Sequence, residues 1–304
     1  MSYNDASALA AATHDIIMGL RAQRGAFADQ VCFSLQRKAL TGKDLTLPTA
    51  QSLGQPVAKK AIGATIKDRN IETGNVSWDM GEFSSLIRIP KATVEALSEY
   101  MQPLEEIAAT LMQDVDRGID AALKTLLTNA TYNRTQGAGS GNWSVNTSTP
   151  VLDLQNALNK TPGSDTVVLG QTSAQELARH PDFKELTSNY SGAGAIPISA
   201  VQSYLSSVLN IPAQNIHVFG TFANSANPGQ THSIAYQAGD LAWIGHKNAL
   251  RLYEQSLATG VPGTPSNGGY VNVVPGHNVM ETSYIRTLDI VRGDIDLGCY
   301  LTGL

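Results

Sequence analysis

The chain has 304 residues, of which 42% are hydrophobic and 15% charged, with a formal net charge of −5. That length can bury a sizeable core and divide it between two subdomains. The charged share is below the ~25% usual for soluble proteins, which suits a surface committed to protein contact, and the negative balance argues against a dedicated nucleic-acid binder.

Cys32 and Cys299 stand at opposite ends of the chain without CxxC spacing. A disulfide framework or zinc site needs more, so they read as two buried thiols in a reducing cytoplasm. No basic stretch precedes an apolar run at the N-terminus, and no stretch is apolar enough to span a bilayer. The expectation is a protein kept in aqueous cytoplasm, with no membrane partner.

Residues 6–24 read as a helix, because Leu9, Ile16, Ile17 and Leu20 recur near helical spacing. It packs either on its own domain or, as a terminal arm, on a neighbour. Residues 41–75 are punctuated by Gly42, Pro48, Gly54, Pro56, Gly63 and Gly74, and carry Lys43, Lys59, Lys60, Lys67 and Arg69. They hold too little apolar material for a core, and predict a long two-stranded excursion from the body. Residues 76–89 alternate as a strand, with Val76, Trp78 and Met80 on one side. Gly81 breaks the phase and predicts a bulge or bend.

Pro90 opens a short helical stretch through Glu99. Pro103 suits the first turn of a longer helix, whose stripe is Leu104, Ile107, Ala108, Leu111, Val115, Ile119, Ala122 and Leu126. Glu105, Asp114, Asp116, Arg117 and Lys124 fall mostly off the stripe. At ~1.5 Å per residue this helix is on the order of 38 Å long, enough to act as a strut. Residues 129–149 read as a polar loop containing Trp143.

From residue 150 helix and strand alternate. A helix starts at Pro150, a buried strand spans 165–170, and Thr172 with Gln175 forms a capping-box pattern for a helix to His180. A helix follows Pro197, then a strand at 215–219 and further strands in 231–253 around Trp243. Residues 256–268 form a Gly/Pro-rich loop ending in Asn267-Gly268, a hairpin-turn signal. Residues 269–274 and 279–304 read as strands.

Signs of chemistry are sparse. The six histidines show no metal-ligand spacing and no HExxH, and no GxxxxGK[ST] or GxSxG occurs. The glycine-rich 137–141 run lies in a polar loop with no strand before it. Gly170 to Ser173 is the better anion-site candidate, although a plain strand-to-helix turn explains it. No cofactor, catalytic residue or metal site is expected.

The order of the pieces resembles the major capsid proteins of tailed bacteriophages of the Hong Kong 97 type over about residues 45–304. The segments that carry the resemblance are Gly141-Asn142-Trp143-Ser144 leading to Pro150; Thr166 to Gly170 and then a helix into His180-Pro181-Asp182; and Ile198 to Leu209 followed by Ile216 to Gly220. Trp243 to Tyr253 and Pro265 to Tyr270 complete the series. His246-Lys247-Asn248 departs from the family's usual Gly-Lys-Asp, and Asp294 to Leu304 is only loosely similar.

The resemblance implies an α+β capsid fold: an N-terminal arm at 1–40, an extended E-loop hairpin at 41–85, a peripheral domain at 86–149 and 276–304 with a spine helix at 103–127, and an axial domain at 150–275. It implies a non-enzymatic subunit of an icosahedral shell around double-stranded DNA, built from hexamers and pentamers. Implied partners are other copies of the chain, a separate scaffold protein (favoured by Met1), a portal, decoration proteins, and DNA contacted non-specifically. The expected location is the virion, and the host cytoplasm during assembly. Inter-subunit contact candidates are Lys59, Lys60, Lys67, Arg69, Trp78, Glu105, Glu106, Asp114 and Asp116. Candidates in the axial-domain loops are Asn224, Asn227 and Pro228. The alternatives are an encapsulin-type compartment shell and an enzyme using an α/β lobe.

Overall fold

The computed structural model describes residues 6–23, 25–46, 74–90, 93, 101–131, 133–139, 141–186, 195–224, 234–256, 269–276, 279–293 and 297–304. The central element is a 28-residue helix, α3 (Met101–Thr128), ~42 Å long at 1.5 Å per residue. It starts two residues before Pro103. Leu104, Ala108, Leu111, Val115 and Ile119 are buried, and the stripe widens to include Met112, Leu123 and Leu127.

Before it come α1 (Ala6–Gln23), α2 (Phe27–Val31), β1 (Phe33–Arg37), β2 (Thr41–Thr46), β3 (Gly74–Asp79) and β4 (Gly81–Pro90). Leu9, Thr13 and Ile17 of α1 are fully buried, and the helix packs on α3 and on β12 (Tyr270–Pro275). The N-terminal helix therefore packs on its own domain. β1 pairs in parallel with β11 (Leu250–Gln255), which ties the rest of the first 40 residues to the body.

β2 and β3 form an antiparallel two-stranded sheet, the base of the expected excursion. Its span 47–73 lies outside the described residues, as does the short helical stretch expected after Pro90 apart from residue 93. β3 ends at Asp79 and β4 starts at Gly81, so the bulge or bend expected at Gly81 is a break between two strands. Val76, Trp78 and Met80 are buried as expected.

The first sheet joins β1, β11, β12 and β4 around β13 (Val279–Arg292). β4 lies along residues 279–288 of β13, β12 along 280–285 and β11 along 288–292. The helices α1, α2 and α3 share one apolar cluster with this sheet.

The second sheet runs β5 (Arg134–Gly137), β14 (Gly298–Thr302), β10 (Ala242–Gly245), β6 (Thr166–Gly170), β7 (Ile216–Phe219). Helices α4 (Pro150–Lys160), α5 (Gln171–Arg179), α6 (Pro181–Leu186) and α7 (Ile198–Leu209) enclose a second cluster around it. β8 (Phe222–Asn224) pairs with β9 (Ile234–Tyr236) as a separate ribbon.

Pairing crosses the linear ranges drawn from the sequence. β11 and β12, from the expected axial range, belong to the first sheet. β5 and β14, from the expected peripheral ranges, belong to the second. The polar 129–149 loop thus contains a strand, held in parallel pairing by β14. The expected capping box is not made: the N-cap of α5 is Gly170, without a side-chain cap bond.

Candidate functional site

At the base of the β2–β3 hairpin, Trp78 stacks on Tyr253 with ring centroids 4.5 Å apart. Arg37 lies over both rings and donates to Asp44 at 2.6 Å. The Tyr253 hydroxyl also donates to Asp44, at 3.0 Å. Gly42 sits opposite Trp78 in the register, where an added Cβ would be 2.3 Å from the indole. The hairpin leaves the body from a rigid aromatic clamp, and Trp78 is buried within its own chain.

The outer side of α3 carries three of the candidate acids. Glu105 and Glu106 are exposed and rim a groove of about 550 Å³ with Ile16, Gly19, Leu20 and Ala109. Asp114 is exposed, accepts a hydrogen bond from Ser85 at 3.2 Å and pairs with Arg117 at 3.3 Å. Asp116 departs from the outward-facing expectation: it is only 8% exposed and lies 3.5 Å from Arg286. Lys59, Lys60, Lys67, Arg69, Asn227 and Pro228 lie outside the described residues. Asn224 ends β8, opposite Ile234.

Sequence reading missed the charge cluster around Arg286, which is fully buried on β13. It donates to both oxygens of Asp29 (3.0 and 3.2 Å) and to Glu254 (2.9 Å). Burial works against its charge, but Glu254 and Asp29 outweigh that and raise its pKa. Burial alone would raise Asp29 as well. Arg286 and Arg21 reverse this and hold its carboxyl below the usual range.

A Ser–His–Asp grouping occurs in the second lobe. The Ser148 hydroxyl is 3.2 Å from His180 Nε2, and His180 Nδ1 is 3.6 Å from Asp182. The backbone N–H of Asp182 points at Nδ1, 3.3 Å away. Nδ1 is therefore an acceptor, and Nε2 carries the proton and donates to Ser148. A general base for a serine nucleophile needs the opposite tautomer. Ser148 and His180 are each 2% exposed. The grouping joins α5 and α6 to the loop before α4 as a buried packing contact.

The Gly170–Ser173 turn is also occupied by its own chain. The Ser173 N–H donates to Gly239 O and the Gly170 N–H to Leu241 O, so two of its backbone donors are taken up within the chain. Cys32 and Cys299 are free and buried. Among the described residues, no cluster of His, Cys, Asp and Glu could hold a metal ion, and no helix is long and apolar enough to cross a membrane.

A scan of protein-family models finds no match to the sequence, and a search of curated proteins finds none either. Solved structures do match. A phage-related protein from Bordetella bronchiseptica RB50 has a TM-score of 0.61 at 14% identity, over 95% of this chain and 97% of that one. A virus-like particle from Pyrococcus furiosus gives 0.56 at 8% identity, over 95% and 98%. The mature capsid of bacteriophage PhiM1 gives 0.51 at 10% identity, over 92% and 88%. The chain has the α+β fold of Hong Kong 97-like capsid structures.

Proposed function

We propose that the chain is the major capsid (head) protein of a tailed bacteriophage, whose copies assemble as hexamers and pentamers into an icosahedral shell around double-stranded DNA. The observation that carries this reading is end-to-end likeness to phage capsid and virus-like-particle structures, with most of both chains covered. In this reading the first sheet with α3 is the peripheral domain with its spine, the second sheet is the axial domain, and β2–β3 is the root of the E-loop. Scaffold, portal and decoration proteins are further partners, and packaged DNA is contacted without sequence preference. Sedimentation of the purified protein tests it. Particles of tens of subunits or more are expected, and a monomer or small oligomer under all assembly conditions would oppose it.

The contact surface follows from charge. Lys59, Lys60, Lys67 and Arg69 of one copy meet Glu105, Glu106 and Asp114 on the exposed side of a neighbour's spine helix. A typical specific interface buries ~1,600 Å², and several per subunit make a shell stable although each contact is weak. Reversing the charge of Lys59 and Lys60 is expected to block assembly while leaving the subunit folded. Intact assembly by that variant would contradict the pairing. A compartment shell holding protein cargo shares the fold, and the contents of purified particles separate the two.

A further inference from the structure

Four carboxyl groups meet two guanidinium groups where α1, α2, α3, β11 and β13 converge. Asp29 on α2 holds Arg286 through two hydrogen bonds and lies 3.4 Å from Arg21. Glu254 on β11 takes the Arg286 Nε–H and lies 3.5 Å from Arg21. Asp120 on α3 is held by neutral donors, the Ala28 N–H at 3.1 Å and the Thr221 hydroxyl at 2.6 Å. Asp116, one turn earlier, lies 3.5 Å from Arg286, and its Oδ1 accepts no hydrogen bond.

Were all six groups ionised, two negative charges would remain uncompensated in a largely desolvated site, which is costly. Asp116 has the poorest set of partners and is the group that takes up a proton most readily. The Arg286 Nη1 nearest to Asp116 is the nitrogen that donates to Asp29 Oδ2. One guanidinium is thus contested between the N-terminal helices and the spine.

We propose that Asp116 is a proton-operated latch for the α1–α2 segment. Protonated, it leaves Arg286 to Asp29 and the segment stays docked. Ionised, it competes for Arg286 and loosens α2.

Burial, only partly offset by Arg286, lifts the Asp116 carboxyl to about 7. A released Asp116 would ionise near the usual carboxylate value of about 4. The docked state then binds more protons between those values, so docking weakens as pH rises from about 4 to about 7 and levels off above.

Other ionisable groups face the same junction among the described residues. Burial lifts Asp120 to about 6, which acts in the same sense at lower pH. Tyr284 on β13 is pushed up to about 12 and stays neutral. Burial raises the Cys32 thiol well above its ordinary value, so it too stays neutral. His217 on β7, edge-on to Phe27, is depressed by burial and by Lys247, and opposes docking only when acid protonates it.

The test is amide hydrogen exchange of residues 6–31 in the full chain at pH 5 to 8, corrected for intrinsic exchange. It compares wild type, Asp116→Asn and Asp29→Asn. Between pH 5 and 7, wild-type protection is expected to fall by up to about tenfold per pH unit more than that of Asp116→Asn, while α3 stays protected. Asp29→Asn should lose protection at every pH. Parallel profiles for wild type and Asp116→Asn would overturn the proposal. If Asp116→Asn does not fold, Asp116→Ser replaces it, and a wild-type profile that is flat from pH 5 to 8 refutes the latch without any variant. The result is independent of whether shells form.

Discussion

Replacing Arg286 by Met removes the cation but keeps much of the aliphatic stem. Asp29 and Glu254 then lose three charge-assisted hydrogen bonds of 2.9–3.2 Å and keep only the longer contacts with Arg21, at 3.4 and 3.5 Å, and a Gln36 amide at 3.2 Å. Removing one partner of a buried ion pair costs about 3–5 kcal/mol, a large part of the ~5–15 kcal/mol that holds a native domain together. With a urea slope of about 3 kcal/mol/M, the midpoint should fall by about 1–1.7 M. Trp78, Trp143 and Trp243 are buried, so their fluorescence reports the transition. Adding Asp29→Asn and Glu254→Gln to Arg286→Met should recover more than half of the loss, because the stranded charges disappear. A midpoint shift below about 0.3 M, or a triple variant no better than the single, would show that Arg286 does not compensate Asp29 and Glu254.

Leu111→Ala and Ile119→Ala each empty a fully buried site on α3 and should cost about 2–5 kcal/mol in urea unfolding. Gly42→Ala drives a methyl into the Trp78 indole and should destabilise by about 1–3 kcal/mol, with a change in near-ultraviolet circular dichroism as the Trp78–Tyr253 stack is displaced. Cys32 is buried and its thiol is raised, so a thiol reagent should modify it only after denaturation. The Asp29 carboxyl is depressed, so its contribution is present above pH 4 and lost as pH falls below that. In Arg286→Met that depression is weakened, so the stability gap between variant and wild type should narrow as pH falls below 4.

Local pattern carried far in this sequence where it coincides with burial. The long helix α3 and the alternation through Val76, Trp78 and Met80 are readable because one face of each element meets the core, whereas the bend expected at Gly81 is a break between two strands. What failed was non-local. β1 pairs in parallel with β11, more than 200 residues on, and β5 owes its extended form to β14; neither pairing leaves a local signature. The buried charges are a subtler case. Along β13 the inward positions run Met280, Thr282, Tyr284, Arg286 and Leu288, so strand period alone puts an arginine in the core and demands acidic partners. Asp116 and Asp120 fall inside an apolar stripe that Met112, Leu123 and Leu127 make wider than it looked. The six site candidates at 59–69 and 227–228 lie outside the described residues, so chain geometry bears only on the acids, Trp78 and Asn224.

Electron microscopy of the protein expressed alone or with its neighbouring genes tests whether the proposed subunit builds closed shells. Uniform icosahedral particles are expected, with nucleic acid inside those recovered from a complete packaging system. Only small discrete oligomers, in every condition where the subunit is folded, would contradict that proposal.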